Sequence, residues 1–422
     1  MKKLFLTLIC ALFIQAGVFA EGGAEFSGSI ETLWGASSPW TERNSRGRFT
    51  LGTTSFTGKL DAYYGNSSAY AEASFTYDSV AARNGENSED SLKFSCGELW
   101  ADYTDSFWCV RIGRQKTAWG KADGIDIVNV ICPSDYSSLS AMVSDDSKLP
   151  VDAIRLSLNG SSFMADVWWI PFFTPAELPA EYSAVKDFLE KPQAALWNGE
   201  YGLKVSGYFS ALDFSFYGFY GWDDLPFLSY SPDSSVPGNV LVSGGYERFL
   251  MFGTDAALPL GETVLRLEGA FSPNRHFHKK AEEILKEASL PSGAESTEER
   301  NQISALAGLD WMPEGWTLTA QYYCDAVFGS KDTLEREHTY EHGATLSVSK
   351  TLLNETLELS FAGVLELNDF DSFMNPSVKY SVSDQISTEC GAYVFISGPE
   401  NDGTYGKYKD LSSFYINVKF SF

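Results

Sequence analysis

The sequence predicts an all-β fold: a transmembrane antiparallel β-barrel of about 18 strands, with short periplasmic turns and long extracellular loops. Three observations predict it: an export signal, period-two alternation of apolar and polar residues, and connections that are short and long in turn. A large soluble β-protein would share the first two features. The third favours the barrel, because outer-membrane barrels sort their connections by length and a soluble sandwich has no reason to.

The N-terminal segment has the pattern of a secretory signal peptide. Two lysines precede an apolar run from Leu4 to Ile14, and a small-residue cleavage pattern ends at Ala20. We therefore expect residues 1–20 to be removed and residues 21–422 to form one barrel domain. No later stretch has the roughly 18 continuous apolar residues of a membrane helix.

The composition excludes several classes of partner. Removal of Lys2 and Lys3 takes the formal net charge from −25 to −27. Nucleic-acid-binding proteins present basic patches to phosphate, so we expect no nucleic-acid partner. The five cysteines after residue 20 lack the short paired spacings of a zinc site or a disulfide framework. We expect no metal site and no cofactor.

Period-two alternation recurs along almost the whole mature chain. In residues 316–325, for example, Trp316, Leu318 and Tyr322 share one face, whereas Gln321 and Asp325 share the other. Segments of about ten residues cross a bilayer when the strand is tilted. The eighteen strands are predicted near residues 26–35, 50–63, 68–78, 93–104, 107–115, 151–159, 162–171, 198–208, 211–221, 245–257, 262–272, 302–312, 315–325, 339–350, 355–366, 372–381, 386–396 and 412–422.

The connections between these strands fall into two classes. Short turns rich in Gly, Asn, Ser and Pro are predicted at residues 65–67, 105–106, 159–161, 259–261, 313–315 and 353–354. Long polar connections are predicted at residues 79–92, 116–150, 172–197, 222–243, 273–301, 326–338 and 397–411. Sixteen strands is the alternative, because residues 36–49 and 367–371 are ambiguous.

The last predicted strand resembles the C-terminal signal of outer-membrane barrels. Its apolar side chains share one face, and the sequence ends on Phe422. The barrel-assembly machinery reads such a terminal aromatic strand, so we expect that machinery as a partner, the cell outer membrane as the location and its lipid as the surroundings. An ordinary edge strand of a soluble protein is the alternative.

If the apolar face of each strand meets lipid, the other face lines a lumen. Charges on the lipid face would cost about 2–4 kcal/mol near the midplane. A barrel of this strand number is wide enough for a channel, and inward charges of both signs predict a wet lumen. In the alternative, the charges pair and fill a plugged interior. The charges predicted to point inward are Arg111, Arg155, Lys204, Arg266, Glu268, Lys379 and Lys419.

One connection has the features of a pore constriction. A strand ends at Arg114 and Gln115, and the next begins near Val151, which leaves residues 116–150 as the longest loop. Loops of that length without a pattern of their own are usually functional. We expect this loop to fold inward, with Asp123 and Asp126 facing the arginines Arg111, Arg155 and Arg266; a solvated outer loop is the alternative. The predicted pore-lining and constriction residues are Arg111, Arg114, Gln115, Trp119, Asp123, Asp126, Asp135, Arg155, Arg266 and Glu268.

The same stretch carries a family resemblance. "RIGRQKTAWGKADG" and the following "NVICPSDY" resemble the signature of a porin-like family of uncharacterised outer-membrane proteins, and alginate-export barrels have a related Gly-Arg-Gln segment. Cys132 stands where the family often has Asn. The resemblance implies an outer-membrane channel whose pore is lined by this loop. The matching positions are Arg111, Gly113, Arg114, Gln115, Trp119, Gly120, Pro133 and Asp135.

These features together predict a porin-like channel for passive diffusion of small solutes. The predicted strands begin within a few residues of the cleavage site, which leaves no room for an N-terminal plug. An enzyme would need a nucleophile or a His–Asp pair; His338 with Asp332 and His276 with Ser272 are available, but no motif surrounds them. We therefore expect no enzymatic activity. A surface-exposed adhesin or ligand-binding barrel without an open pore is the alternative, and a homo-oligomer is left open.

Overall fold

The computed structural model describes most of the chain. The described residues are 22–38, 46–83, 91–137, 147–179, 182, 186–232, 240–288, 290, 294–399 and 403–422. The predicted signal peptide, residues 1–20, lies outside them.

The predicted barrel is confirmed, with eighteen antiparallel strands in one sheet. Numbering all strands in chain order, the barrel strands are β1 (Gly22–Ser37), β2 (Phe49–Tyr64), β3 (Ser67–Asp78), β4 (Leu92–Thr104), β5 (Trp108–Gln115), β6 (Val151–Asn159), β7 (Phe163–Ile170), β8 (Glu200–Phe209), β9 (Leu212–Trp222), β12 (Arg248–Leu260), β13 (Thr263–His278), β15 (Thr297–Trp311), β16 (Trp316–Val327), β17 (Tyr340–Leu352), β18 (Leu357–Glu366), β19 (Ser372–Ser381), β20 (Ile386–Ile396) and β21 (Ser413–Ser421). Each predicted strand corresponds to one of these, so the alternative of sixteen strands is wrong.

The remaining elements are small and belong to the connections. Strands β10 (Phe227–Pro232), β11 (Val240–Gly245) and β14 (Ala294–Glu295) form a separate three-stranded sheet. Helix α1 spans Ser79–Arg83 and helix α2 spans Ala281–Ala288. Two 3₁₀ helices span Leu196–Asn198 and Gly406–Leu411. Among the described residues, no helix has the length and apolar character needed to cross a membrane.

The barrel closes through its first and last strands. β1 pairs with both β2 and β21, so neither strand has an open edge. Beyond the end of β21, the Phe422 N–H donates to the Gly28 carbonyl at 3.0 Å, and the Gly28 N–H donates to the Phe422 carbonyl at 2.9 Å. Closure satisfies the backbone hydrogen bonds of every strand within the protein, which a lipid environment requires.

The connections alternate in length as predicted. Eight turns of two to four residues join strands at one end, and the connections at the other end run from five to 35 residues. Both ambiguous segments contribute connections, residues 38–48 and 367–371. Gly65 and Gly261 have φ angles of +56° and +69° in two of the short turns, where a residue without Cβ relieves strain. Both described termini lie at the short-turn end.

Side-chain exposure separates the two faces of the strands. Phe216 and Phe252 are 57% and 54% exposed, whereas their neighbours Tyr217 and Met251 are 4% and 1% exposed. The exposed apolar and aromatic side chains form the outer face, and the opposite, inner face carries most of the buried polar and charged groups. In β21 the outer face carries Phe414 and the other residues of the predicted apolar register. This is the arrangement of a barrel surrounded by lipid.

Candidate functional site

The entry to the loop 116–150 is fixed by the end of β5. Gln115 is 1% exposed, and its side-chain amide donates to the Ala153 carbonyl on β6 at 3.0 Å. The following residue is held as well, because the Lys116 N–H donates to the Glu98 carboxylate at 2.8 Å. The chain therefore leaves β5 under constraint from both neighbouring strands.

Four loop residues, 120–123, lie along the inner face of the barrel, and we call them the strap. The Gly120 N–H donates to the Tyr217 hydroxyl at 3.2 Å. The Ala122 N–H donates to the Glu268 carboxylate at 2.6 Å, and the Lys121 N–H donates to the same oxygen. The backbone N–H groups of the strap are thus satisfied by side chains on the inner face of the barrel and not by other parts of the loop, as buried backbone groups require.

The strap is also bonded reciprocally to β16. The Asp123 N–H donates to the Gln321 side-chain oxygen at 3.0 Å, and the Gln321 side-chain nitrogen donates back to the Asp123 carbonyl at 2.8 Å. Gln321 is 4% exposed and also donates to the Thr345 hydroxyl at 2.7 Å. The strap therefore spans from β9 to β16 and is fixed at both ends.

Arg266 on β13 connects the strap to the wall through charge. One of its terminal nitrogens lies 2.6 Å from the Asp123 carboxylate and also pairs with Asp310 of β15. The other terminal nitrogen donates to the Lys121 carbonyl. The Arg266 side chain is 14% exposed and the Asp123 side chain is 58% exposed, so the pair has one buried and one solvated partner. Charge-assisted hydrogen bonds of this kind are stronger than neutral ones.

Gly120 lets the strap approach Glu268 closely. Its φ angle is +88°, and an added Cβ would lie 2.5 Å from a Glu268 carboxylate oxygen. Gly124, which follows the strap with a φ angle of +72°, has no atom within 4 Å of the corresponding position. The two glycines therefore differ: both permit a left-handed backbone, but only Gly120 makes close contact possible.

Apolar side chains of the loop pack onto the inner face of the barrel. Trp119 is 4% exposed, with its ring centroid 5.4 Å from that of Trp168 and 5.0 Å from that of Tyr217. Ile127, Val128, Ile131 and Cys132 join the same buried cluster. Two glycines of the barrel strands leave space for these side chains. A Cβ on Gly202 would lie 3.2 Å from Trp119, and one on Gly253 would lie 2.6 Å from Val128.

The other two aspartates of the predicted constriction, Asp126 and Asp135, do not face the arginines of the barrel wall. The Asp126 carboxylate pairs with Lys148 of its own loop and accepts a hydrogen bond from Asn129 at 3.0 Å. Asp135 lies 3.6 Å from Lys93 of β4. Both acids find a lysine that is nearer in the fold, so the expected pairing with Arg111, Arg155 and Arg266 is realised only between Asp123 and Arg266.

Arg111 and Arg155 occupy opposite positions on β5 and β6. Arg111 pairs with Asp102 at 2.7 Å and stacks on Trp100, with its guanidinium carbon 3.4 Å from the ring centroid. Like charges directly opposite each other repel, and Asp102 offsets one of the two. The Arg155 Nε has no hydrogen-bond partner among the described residues.

Arg114, predicted to line the pore, does not share a face with Arg111. It lies 3.4 Å from Asp152, and these two residues pair across β5 and β6 in step with Ile112 and Ile154. Ile112 is 53% exposed on the outer face. The alternation therefore places Arg114 with the outer-face residues at the long-loop end of its strand, and separates it from Arg111.

Several residues of this site were not predicted. Tyr217, Gln321 and Asp310 hold the strap or its arginine, and each lies on the polar face of a predicted strand. Residues of a second connection also pack on the inner face, where Tyr405 and Tyr408 contact a cluster that includes Tyr393 and Phe395 of β20. Alternation identifies the inner face of each strand, but it does not say which wall residue a loop contacts.

Solved structures share this fold at low sequence identity. The crystal structure of OccAB1 from Acinetobacter baumannii has a TM-score of 0.58 and 11% identity, covering 94% of this chain and 96% of that one. OccAB3 from the same organism has a TM-score of 0.55 and 10% identity, covering 96% and 100%. OccK3 (OpdO) from Pseudomonas aeruginosa has a TM-score of 0.54 and 10% identity, covering 94% and 95%. These similarities place the chain among outer-membrane porin-like barrels by fold.

Sequence comparison adds a family. No curated protein matches the sequence. A family model described as "Protein of unknown function (DUF1302)" matches residues 42–402, which include the loop 116–150 and sixteen complete barrel strands. This match agrees with the predicted resemblance to an uncharacterised porin-like family, while the proposed signature and the similarity to alginate-export barrels stay predictions. The chain is an outer-membrane β-barrel that belongs to the DUF1302 family.

Proposed function

We propose that this protein is a channel for passive diffusion of small solutes, with the loop 116–150 as its constriction. The observation that carries the proposal is the strap of residues 120–123, which is hydrogen-bonded to the inner face of β9, β13 and β16. A loop held inside a barrel reduces the open cross-section at that level. It also fixes charged groups where a solute must pass.

The charges at the strap suit a polar or charged solute. The Asp123 carboxylate is more than half exposed, and it carries negative charge into the water beside Arg266. Lys121, whose side chain is 24% exposed, lies 3.8 Å from Asp255. Both signs therefore occur at one level of the barrel, which gives a transverse field of the kind that orients dipolar solutes.

The constriction is a fixed one in this proposal. Trp119 and Val128 are buried against the inner face of the barrel, and the strap between them is hydrogen-bonded to Glu268 and Gln321. Moving the loop out would expose this apolar cluster and break several buried hydrogen bonds, each worth about 0.5–1.5 kcal/mol. Solute passage therefore requires no loop movement, and transport follows the concentration gradient.

The test is the ion selectivity of Asp123→Asn in a planar bilayer, measured as reversal potential across a salt gradient. Neutralising a half-exposed carboxylate at the narrowest level should shift the permeability ratio towards anions by up to about fivefold, since a unit charge acts with about 1 kcal/mol at 4 Å in water. Asp384→Asn is the matched control, because Asp384 is an exposed residue of the short turn 382–385.

Unchanged selectivity in Asp123→Asn would place the constriction elsewhere. A wild-type protein that is folded, as judged by heat-modifiable migration on a gel, but gives no current would contradict the channel itself. That result would favour the alternative of a surface-exposed adhesin or ligand-binding barrel without an open pore.

A further inference from the structure

Three potential metal ligands meet at the long-loop end of the barrel, far in sequence from the strap. They are Glu337, His338 and Asp369, and their candidate ligand atoms all lie within 4.8 Å of one another. Glu337 and His338 belong to the connection after β16, and Asp369 belongs to the connection after β18. We propose that they form a site for a divalent transition-metal ion such as Zn²⁺, which ties the two connections together.

The donor set favours a transition metal over calcium or magnesium. Calcium and magnesium take oxygen ligands almost exclusively, whereas Zn²⁺ binds imidazole nitrogen together with carboxylate oxygen. Zn²⁺ bonds of about 2.0–2.2 Å put tetrahedral ligand atoms roughly 3.3–3.6 Å apart. The His338 Nε2 and the Asp369 carboxylate are 3.0 Å apart, so this edge of the site already has nearly the required length.

The backbone on the histidine side is held in place. The Arg336 Nε donates to the His338 carbonyl at 2.8 Å, and the Val327 N–H donates to the Thr339 carbonyl at 2.9 Å. Lys331 donates to the Glu337 carbonyl, which leaves the Glu337 carboxylate available. These bonds restrict the loop on both sides of His338.

The aspartate side is joined directly to β17. The Asn368 side chain accepts from the His342 N–H at 2.8 Å and donates to the Tyr340 carbonyl at 3.0 Å. The Leu367 N–H donates to the His342 carbonyl at 2.9 Å. Asp369, the next residue after Asn368, is therefore brought to the start of β17 without a metal, so binding an ion would require little rearrangement.

The local charge favours a cation. Arg336 is engaged by Asp325 and by Glu341, whose carboxylate lies 3.1 Å from its Nε. Within the described part of the chain, the carboxylates of Glu337 and Asp369 form no ion pair with lysine or arginine. His338 is the charge partner of Asp369, and only when it is protonated.

A second carboxylate, that of Asp371, lies in the same connection as Asp369. Asp371 is 0% exposed, and one of its oxygens accepts from the Gly406 N–H at 3.0 Å and from the Tyr405 N–H. Its other oxygen is buried and has no hydrogen-bond partner among the described residues. Asp371 is therefore bonded to the connection after β20 and is not one of the proposed ligands.

Another histidine supplies the matched control. The His276 Nε2 lies 3.7 Å from Glu247 and 3.6 Å from Glu299, so it too sits between two carboxylates. Within the described residues, however, the requirement that three ligand atoms lie mutually within 4.8 Å is met by Glu337, His338 and Asp369 alone. Both histidines therefore have carboxylates nearby, but in the described part of the chain only the ligand atoms around His338 are close enough to one another to bind one ion.

The experiment is calorimetric titration of the full-length barrel, purified in detergent, with ZnCl₂. The wild type should bind about one equivalent. His338→Ala and Asp369→Asn should each weaken binding by more than the roughly 10–100-fold that loss of an outer-shell partner costs. His276→Ala should bind as the wild type does.

Glu337→Gln keeps the test independent of folding, because Glu337 is exposed and its substitution leaves the neighbouring backbone bonds intact. It should also weaken binding, while heat-modifiable migration shows each variant to be folded. Absence of binding to the wild type would overturn the proposal. So would binding that survives in His338→Ala, or that falls equally in His276→Ala.

Discussion

Two long connections of this barrel use their backbones in opposite ways. The connection after β9 forms its own hairpin, in which β10 pairs with β11 over residues 227–232 and 240–245. The connection after β5 makes few backbone bonds within itself over residues 116–137, and it bonds instead to side chains of the wall. A connection that satisfies its own backbone can remain apart from the barrel wall, whereas one that does not must find partners inside the protein.

The two connections differ in how apolar residues and glycines are spaced along the sequence. Residues 227–232 and 240–245 each have the length and apolar content of a short strand. The other connection has glycines with positive φ at positions 120 and 124, then apolar residues such as Ile127 and Val128 without a strand period. Such a segment cannot pair with itself, but it can cover an apolar wall.

The largest effect is expected from Gly120→Val, which should release the strap from the inner face of the barrel. The connection after β5 would then no longer bond to the barrel strands, and its difference from the connection after β9 would be lost. A side chain at φ +88° is strained, and its Cβ would lie 2.5 Å from Glu268. The fold should lose about 2–4 kcal/mol, more than the roughly 1–3 kcal/mol of backbone strain alone. Chemical denaturation of the purified barrel measures this loss.

Gly124→Ala is the control for that substitution. It has the same backbone strain, at φ +72°, without a clash. It should cost only about 1–2 kcal/mol. Equal losses at positions 120 and 124 would mean that the contact with Glu268 does not hold the strap.

Removal of the charge that joins strap and wall should have the next largest effect. Arg266→Gln leaves Asp123 and the mostly buried Asp310 without their cation. Breaking a partly buried pair in this way should cost about 2–4 kcal/mol and shift the reversal potential towards cation preference. Arg300→Gln removes an arginine paired with Glu298 at 2.7 Å outside the strap, and its reversal potential should match the wild type.

The reactivity of Cys132 reports whether the loop stays packed. This thiol is 2% exposed, and burial raises its pKa to about 11. Because the raised pKa favours the protonated thiol, labelling with a maleimide should be slow at pH 7–8 and should rise as the pH approaches 11. Peptide mass spectrometry after labelling gives the rate for this cysteine alone. Rapid labelling of Cys132 in the wild type at pH 7 would contradict a packed loop.

The smallest effect is expected from Asp126→Asn. The carboxylate is about half exposed and pairs with Lys148 of its own loop, not with a wall arginine. Exposed ion pairs contribute about 0–1 kcal/mol, so stability should change by less than that. The reversal potential should also change less than in Asp123→Asn, and an equal change would put both aspartates at the narrowest level.

The barrel could be predicted because each strand carries its own evidence. Alternation in a segment such as residues 316–325 separates an outer face from an inner one, and turn residues limit its length. The same alternation puts Arg114, which follows Gly113 at φ +129° at the end of β5, in step with Ile112 and away from the lumen. Residue type suggested the lumen there, but the strand register decided otherwise.

The loop contacts could be predicted only in part, because they depend on distant partners. An inward loop with acidic residues was expected, and Asp123 does meet Arg266 across 143 positions of sequence. Asp126 and Asp135 meet lysines instead, which sequence spacing could not show. The proposed metal ligands could not be predicted for the same reason, because His338 and Asp369 come from different connections.

The central claim is that the loop 116–150 narrows an open pore, and single-channel conductance tests it most directly. Wild-type protein in a planar bilayer should give discrete steps. Gly120→Val, with the strap displaced from Glu268, should give larger steps and a weaker ion preference, while Gly124→Ala should match the wild type. Steps of equal size in Gly120→Val and wild type, with Cys132 newly labelled in the variant to show that the loop has moved, would contradict a constriction formed by this loop.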